Sequence, residues 1–170
     1  MGPPDPDLAP VVTKEAVRNA MFAFPPGSSA GPSGLRPQHL VDAVGSPVGD
    51  AIVAGFSKVM QGVVRGAAPQ PLRPRLAGAL LFAGQKGEGD VRPLAAGEYV
   101  RRLSSRVMVK ETRRELREAL GDTHIGDALS GGVEIGSQLS RSFLHRNRGV
   151  QGKYLLLVDM ENAHNTPDRA

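Results

Sequence analysis

The stretch LAGALLFAGQKGEGDVRPLAAGEYVRRLSSRV, residues 76–107, changes character three times within one run. LAGALLFA at 76–83 has the length and apolar content of a strand, GQKGEGD at 84–90 has the glycines and charges of a turn, and VRPLA at 91–95 returns to strand composition. A helix is expected next, from about Gly97 to Leu120, because Val100, Leu103, Val107, Leu116 and Leu120 recur at helical spacing. The fold class turns on this succession of strand, turn, strand and helix.

Toward the N-terminus the chain is rich in proline. Eight of the 14 prolines fall at positions 3, 4, 6, 10, 25, 26, 32 and 37, so most of this region cannot be regular structure. One short helix, Thr13 to Ala23, is expected within it, capped by Thr13 and apolar at Ala16, Val17, Ala20 and Met21. FPPGSSAGPSGL at 24–35 reads as a glycine-rich loop. Pro37 can start a short helix carrying His39, Leu40 and Val41. Asp50 is placed to cap a longer helix to about Val64, with Ile52, Val53, Phe56, Val59, Met60 and Val63 on one side. Toward the C-terminus a helix is expected around Val133 to His145. KYLLLVD at 153–159 reads as a buried strand, since continuous apolar runs mark strands covered on both faces.

A chain of 170 residues can form one domain with a real core, or be a piece of a larger one. Aromatic residues make up 4% and Trp is absent, so the core must come from Leu, Val, Ala and Met. Without cysteine there is no disulfide framework and no thiolate metal site, and an intracellular location is the simpler reading. The opening MGPPDPDLAPVV has neither the basic start nor the apolar stretch of a signal peptide, and LAGALLFAG at 76–84 is too short to span a bilayer. The net charge of +4 favours anionic partners. Its placement says more: residues 101–120 hold seven basic and three acidic residues, an excess equal to that of the whole chain. Arg102, Arg106, Lys110, Arg113 and Arg117 climb one face of the expected helix, as a phosphate-binding surface or as a solvated face paired with Glu111 and Glu115.

Several catalytic patterns fail on context. GSSAG at 27–31 matches a nucleophile elbow around Ser29, but Pro25 and Pro26 stand where a strand is needed and GPSG where a helix is needed. No Gly-Lys-Ser/Thr follows to make a Walker loop, and His39, His124, His145 and His164 lack zinc-ligand spacing. Asp159, at the end of the expected strand, is placed either to hold a hard cation such as Mg²⁺ or to cap a following helix.

In their order the segments resemble the fingers and first palm elements of a reverse transcriptase of the non-LTR retrotransposon and group II intron type. SAGPSGLRPQHL at 29–40 resembles the family's Gly-Pro-x-Gly fingers loop and its helix, and residues 80–107 resemble its Lys-bearing hairpin, Arg-Pro-Leu step and basic helix. HIGDALSGGVEIGSQLSRSFLHR at 124–146 resembles the pre-palm segment, and LLLVDMENAHNTPDR at 155–169 the first catalytic motif. The resemblance implies an α+β fold: helix-rich fingers and a partial palm of a right-hand polymerase, truncated before the second and third catalytic carboxylates. It divides the chain into a Pro-rich segment with a short helix at 1–23, a fingers-like region at 24–150 and the start of a palm at 151–170.

The resemblance further implies Mg²⁺-dependent nucleotidyl transfer templated by RNA, in a fragment inactive as this isolated chain. Asp159 takes the place of the first metal ligand and catalytic carboxylate. Lys86 and Arg92 take positions that hold the incoming deoxynucleotide triphosphate, and His164 stands where the family places a ring against the sugar. Arg101, Arg102 and Arg106 would lie along the template backbone. The partners implied are an RNA template, a DNA primer and a missing palm and thumb, with no membrane; a nuclear location is admitted. Two readings stand beside it: a non-catalytic nucleic-acid-binding module built on the basic helix and glycine-rich loop, and a small intracellular enzyme with an unrelated site.

Overall fold

Thr13 opens the first helix as expected: its side chain accepts a hydrogen bond from Ala16 N, and α1 runs Lys14–Phe22. In the computed structural model of the chain, which describes residues 6–85, 89, 91–121, 124–126 and 130–159, α1 is followed by α2 (Pro37–Val44) and α3 (Gly49–Val64). Then come the short α4 (Arg73–Ala77), strands β1 (Ala79–Gln85) and β2 (Val91–Gly97), and helices α5 (Tyr99–Glu111), α6 (Arg113–Leu120) and α7 (Gly132–Arg146). Seven α-helices and one antiparallel two-stranded sheet among the described residues make this an α+β fold.

The chain forms two compact units, Met1–Arg114 and Glu115–Ala170. In the first, α1 packs on α2, α3 and α5, and α3 on α2 and α5. The helix expected within the Pro-rich N-terminal segment is therefore part of the core of this unit. Val17 and Met21 of α1, Met60 of α3, and Tyr99, Leu103 and Val107 of α5 are fully buried there. Side chains of this kind each contribute roughly 1.5–3 kcal/mol of hydrophobic stabilisation. Gln61 fastens the Pro-rich lead-in to this core by accepting from Val12 N at 2.8 Å and donating to Pro10 O at 3.2 Å.

Two local expectations need correction. Asp50 lies in the first turn of α3 and pairs with Arg18 of α1, while Val48 holds the cap position. Val59 faces outward at 54% exposure, so the buried face of α3 runs through Val53, Ser57 and Met60. The expected hairpin forms with shifted limits: Leu76 and Ala77 close α4, β1 takes in Gly84 and Gln85 from the expected turn, and β2 extends to Gly97, with Ala79 opposite Gly97 at the base and Gln85 opposite Val91 at the tip.

The single helix expected from Gly97 to Leu120 is two helices. Thr112 breaks it with φ −97° and ψ 10°, and its hydroxyl donates to Met108 O at 2.9 Å. A Thr that bonds back to the turn below is a poor continuation residue. Tertiary packing decides the site of the break, because α5 buries Tyr99, Leu103, Ser104 and Val107 and α6 buries nothing.

In the second unit α7 spans Gly132–Arg146, close to the expected limits, and starts from Gly131 at φ 72°. The segment 153–159 has no regular structure and belongs to no sheet of the described residues, and Tyr154, Leu156, Leu157 and Val158 are each more than 70% exposed. The expectation of a buried strand there is overturned. An apolar run becomes a strand only when another strand supplies the ladder, and among the described residues β1 and β2 pair only with each other. No helix among the described residues is long and apolar enough to cross a membrane.

Candidate nucleic-acid interface

The site is built where the hairpin hands over to α5. Glu98 is buried at this junction and caps α5, accepting from Tyr99 N at 2.9 Å. A carboxylate suits a helix N-terminus because it faces the positive end of the helix dipole and the unpaired first N–H groups. The same carboxylate reaches across to the glycine-rich loop, where it accepts from Ser33 N at 3.0 Å and Ser33 Oγ at 2.7 Å. Burial alone would raise its pKa. The bonds from Ser33 and Tyr99, with Arg102 nearby, outweigh that and hold the carboxyl below its usual range.

Two glycines let the loop come this close. A Cβ on Gly31 would lie 2.6 Å from Glu98 Cα and 2.7 Å from Gly97 O, a space that only hydrogen can fill. Gly34, at φ 77°, closes the turn by donating to Gly31 O at 3.0 Å.

One and two turns along α5, on the row that begins with Glu98, Arg102 and Arg106 clasp the start of the same loop. Arg102 Nη2 donates to Ser29 O, and Arg106 Nη1 donates to Ala23 O at 2.8 Å. Both guanidinium groups also stand over the Phe24 ring, at 5.6 Å and 4.3 Å from its centroid, in cation–π contact. Phe24 in turn leans on Tyr99, with ring centroids 5.3 Å apart. Tyr99 is fully buried, and burial pushes its hydroxyl up to about 12 against the opposing pull of Arg102 and Arg106. Among the described residues neither the Tyr99 hydroxyl nor Arg102 Nε finds a hydrogen-bond partner.

Between helix and loop lies an open cleft of about 380 Å³, walled by Phe24, Pro25 and Ser28 on one side and Arg101, Arg102, Ser105 and Arg106 on the other. No acidic residue lines it. Three guanidinium groups and the Ser105 hydroxyl facing an apolar wall suit a phosphodiester, whose oxygens accept charge-assisted hydrogen bonds, while the Ser28 hydroxyl is committed to Pro25 O at 2.6 Å.

Thus Arg101, Arg102 and Arg106 line one cleft. Arg92 stands elsewhere, opposite Gly84 near the hairpin tip, roughly 17 Å along β2 from Gly97 at strand rise. Lys86 and His164 lie outside the described residues. Asp159 belongs to the second unit, at the end of the exposed segment 153–159. Among the described residues no three His, Asp or Glu side chains gather to hold a metal, so these residues do not by themselves fit a two-metal Mg²⁺ site.

Sequence reasoning missed Glu98, Phe24 and Ser28. The signal for Glu98 was its place directly before the basic helix, where a carboxylate can cap. Phe24 gave none beyond being one of few aromatics. Comparison of the chain with protein-family models, characterised proteins and solved structures finds no match.

Proposed function

We propose that this chain is the fingers and first palm element of a reverse-transcriptase-type nucleotidyltransferase, and that its described part grips the backbone of an RNA template. One observation carries the reading. The glycine-rich loop and the basic helix, which the resemblance assigns to one subdomain, are fastened together through Glu98, Arg102 and Arg106 into a cationic cleft. The α5 helix follows directly on a hairpin, the order of elements the resemblance requires. Contacts of this kind go to phosphates and carry no sequence information. In this reading Asp159 contributes one metal ligand, and nucleotidyl transfer needs further carboxylates placed beside it.

A second reading, a nucleic-acid-binding module without catalysis, is favoured by the completeness of the cleft within residues 24–106, which needs no carboxylate from elsewhere. Both readings require the same first result. Fluorescence anisotropy of labelled RNA with the full chain should show log affinity falling steeply with log salt, as bound counterions are released. A flat dependence refutes both. Mg²⁺-dependent extension of a DNA primer on an RNA template, lost in Asp159→Ala while RNA binding persists, selects the polymerase. Extension that survives Asp159→Ala removes this carboxylate from catalysis.

A further inference from the structure

The wall formed by Phe24, Pro25 and Ser28 has a second side. A smaller cavity of about 190 Å³ lies against the same three residues and is closed by Arg36, Pro37 and Gln38 at the start of α2. Arg36 is exposed, and α2 presents the positive end of its dipole here. No acidic residue lines this cavity either. Two hollows therefore share one wall, the first lined by Arg101, Arg102 and Arg106 and the second carrying one cation, Arg36 at the α2 N-terminus, beside the apolar Met21 and Val41.

We infer that the two hollows form one track for a single strand of nucleic acid, which crosses the Phe24–Pro25 ridge with a phosphate on each side. The inference rests on the nucleic-acid reading above and adds Arg36, the ridge and the form of the ligand. The ridge cannot be a base-stacking platform, because Arg106 covers the Phe24 ring at 4.3 Å and Tyr99 leans on it at 5.3 Å. Held in this way, the ring is a rigid divider with its bonds already made, and the strand meets it through sugar and phosphate. A duplex does not fit such a divider. Its phosphates are fixed on a stiff cylinder, with a persistence length near 150 base pairs, and cannot dip to either side of one residue. A single strand bends at each backbone bond.

The test is anisotropy of a labelled 12-residue oligouridylate and of the matching oligodeoxythymidylate with the full chain, across a salt series. Each phosphate contact on a single strand contributes about 0.7 to the slope of log affinity against log salt. Arg36→Ala should lower the slope by about 0.7, as should Arg101→Ala, and the double variant by about 1.4. Arg36→Lys should restore the first loss, since point charge suffices at a phosphate, and it also guards against a fold defect at the α2 start. Lys58→Ala, on the exposed side of α3, should leave the slope unchanged. Equal binding of the two strands, or tighter binding of the RNA through its 2′-hydroxyls, fits the track. An unchanged slope in Arg36→Ala while Arg101→Ala lowers it overturns the inference and leaves the proposed function standing. Tighter binding of a 12-base-pair duplex also overturns the inference. Absence of binding by either strand overturns both.

Discussion

Removing the Glu98 carboxylate should loosen the glycine-rich loop from α5 and destabilise the first unit. Three hydrogen bonds end on this group, at 2.7, 2.9 and 3.0 Å. The bond from Tyr99 N is a helix cap, worth about 1 kcal/mol. The two from Ser33 are charge-assisted, a class worth about 1.5–3 kcal/mol each, and water reaching the exposed Ser33 side reduces them to about 1 kcal/mol each. Glu98→Ala should therefore cost about 3 kcal/mol, or roughly 15 °C in Tm for a unit of this size. Glu98→Gln keeps an acceptor but not the charge, and should cost about half as much.

The charge gives the prediction its sharper form. The folded-state pKa of Glu98 lies below its ordinary value of 4.5, so the native protein binds fewer protons than the unfolded chain through that window. The stability contributed by the charged form is complete above pH 4.5 and is lost as pH falls through the folded value. Urea unfolding of the full chain, followed by circular dichroism at pH 7 and down to pH 3, reads both effects. The difference between wild type and Glu98→Gln should be largest at pH 7 and shrink in acid. A Gln variant as stable as wild type at pH 7, or a constant difference across the range, refutes the role given to this carboxylate.

Other changes read other parts of the structure. Leu103→Ala, at a fully buried position on α5, should cost about 3 kcal/mol, whereas Leu116→Ala on the exposed α6 should cost under about 1 kcal/mol; equal losses in urea unfolding would contradict the break at Thr112. Gly31→Ala places a methyl against backbone at 2.6 Å and should both lower Tm and weaken RNA binding in anisotropy, since the loop must move off Glu98; an unchanged Tm would deny the close approach. Tyr99→Phe removes a buried hydroxyl without a partner and should be neutral or slightly stabilising at pH 7. Because the Tyr99 pKa is raised from 10 to about 12, the folded protein holds that proton longer than the unfolded chain does. Stability should fall as pH rises from about 10 to about 12, and Tyr99→Phe should remove most of that fall.

The helices of the first unit were legible where apolar spacing and tertiary burial agree. Ala16, Val17, Ala20 and Met21 are at once the periodic residues and the buried ones of α1. Leu116 and Leu120 continue the period of α5 but stay partly exposed, at 37% and 36%, and join no fully buried core, so the pattern overstated the helix. The same gap between pattern and partner explains residues 154–158, whose apolar run signals burial while its ladder partner must come from another segment. The three arginines of the cleft were legible as a concentration of charge. Their geometry was not, because it depends on Glu98 and Phe24, one of which reads as a solvated acid and the other as a loop residue.

The arginines of the cleft do two kinds of work, and this decides how variants at the site must be interpreted. Arg102 and Arg106 each give one hydrogen bond to a loop carbonyl and one face to Phe24, so part of each guanidinium is committed to holding the loop in place. Arg101 lines the same cleft and is exposed, with no hydrogen bond to the loop among those of the described residues. Truncating Arg106 should lower Tm and RNA affinity together, with the loss of affinity exceeding what one phosphate contact contributes, because the wall of the cleft moves as well. Truncating Arg101 should lower the salt slope by about 0.7 and leave Tm unchanged. Folding and binding are thus coupled at one arginine and separable at its neighbour five residues away, so Arg101 reports the ligand's charge without also reporting the loop.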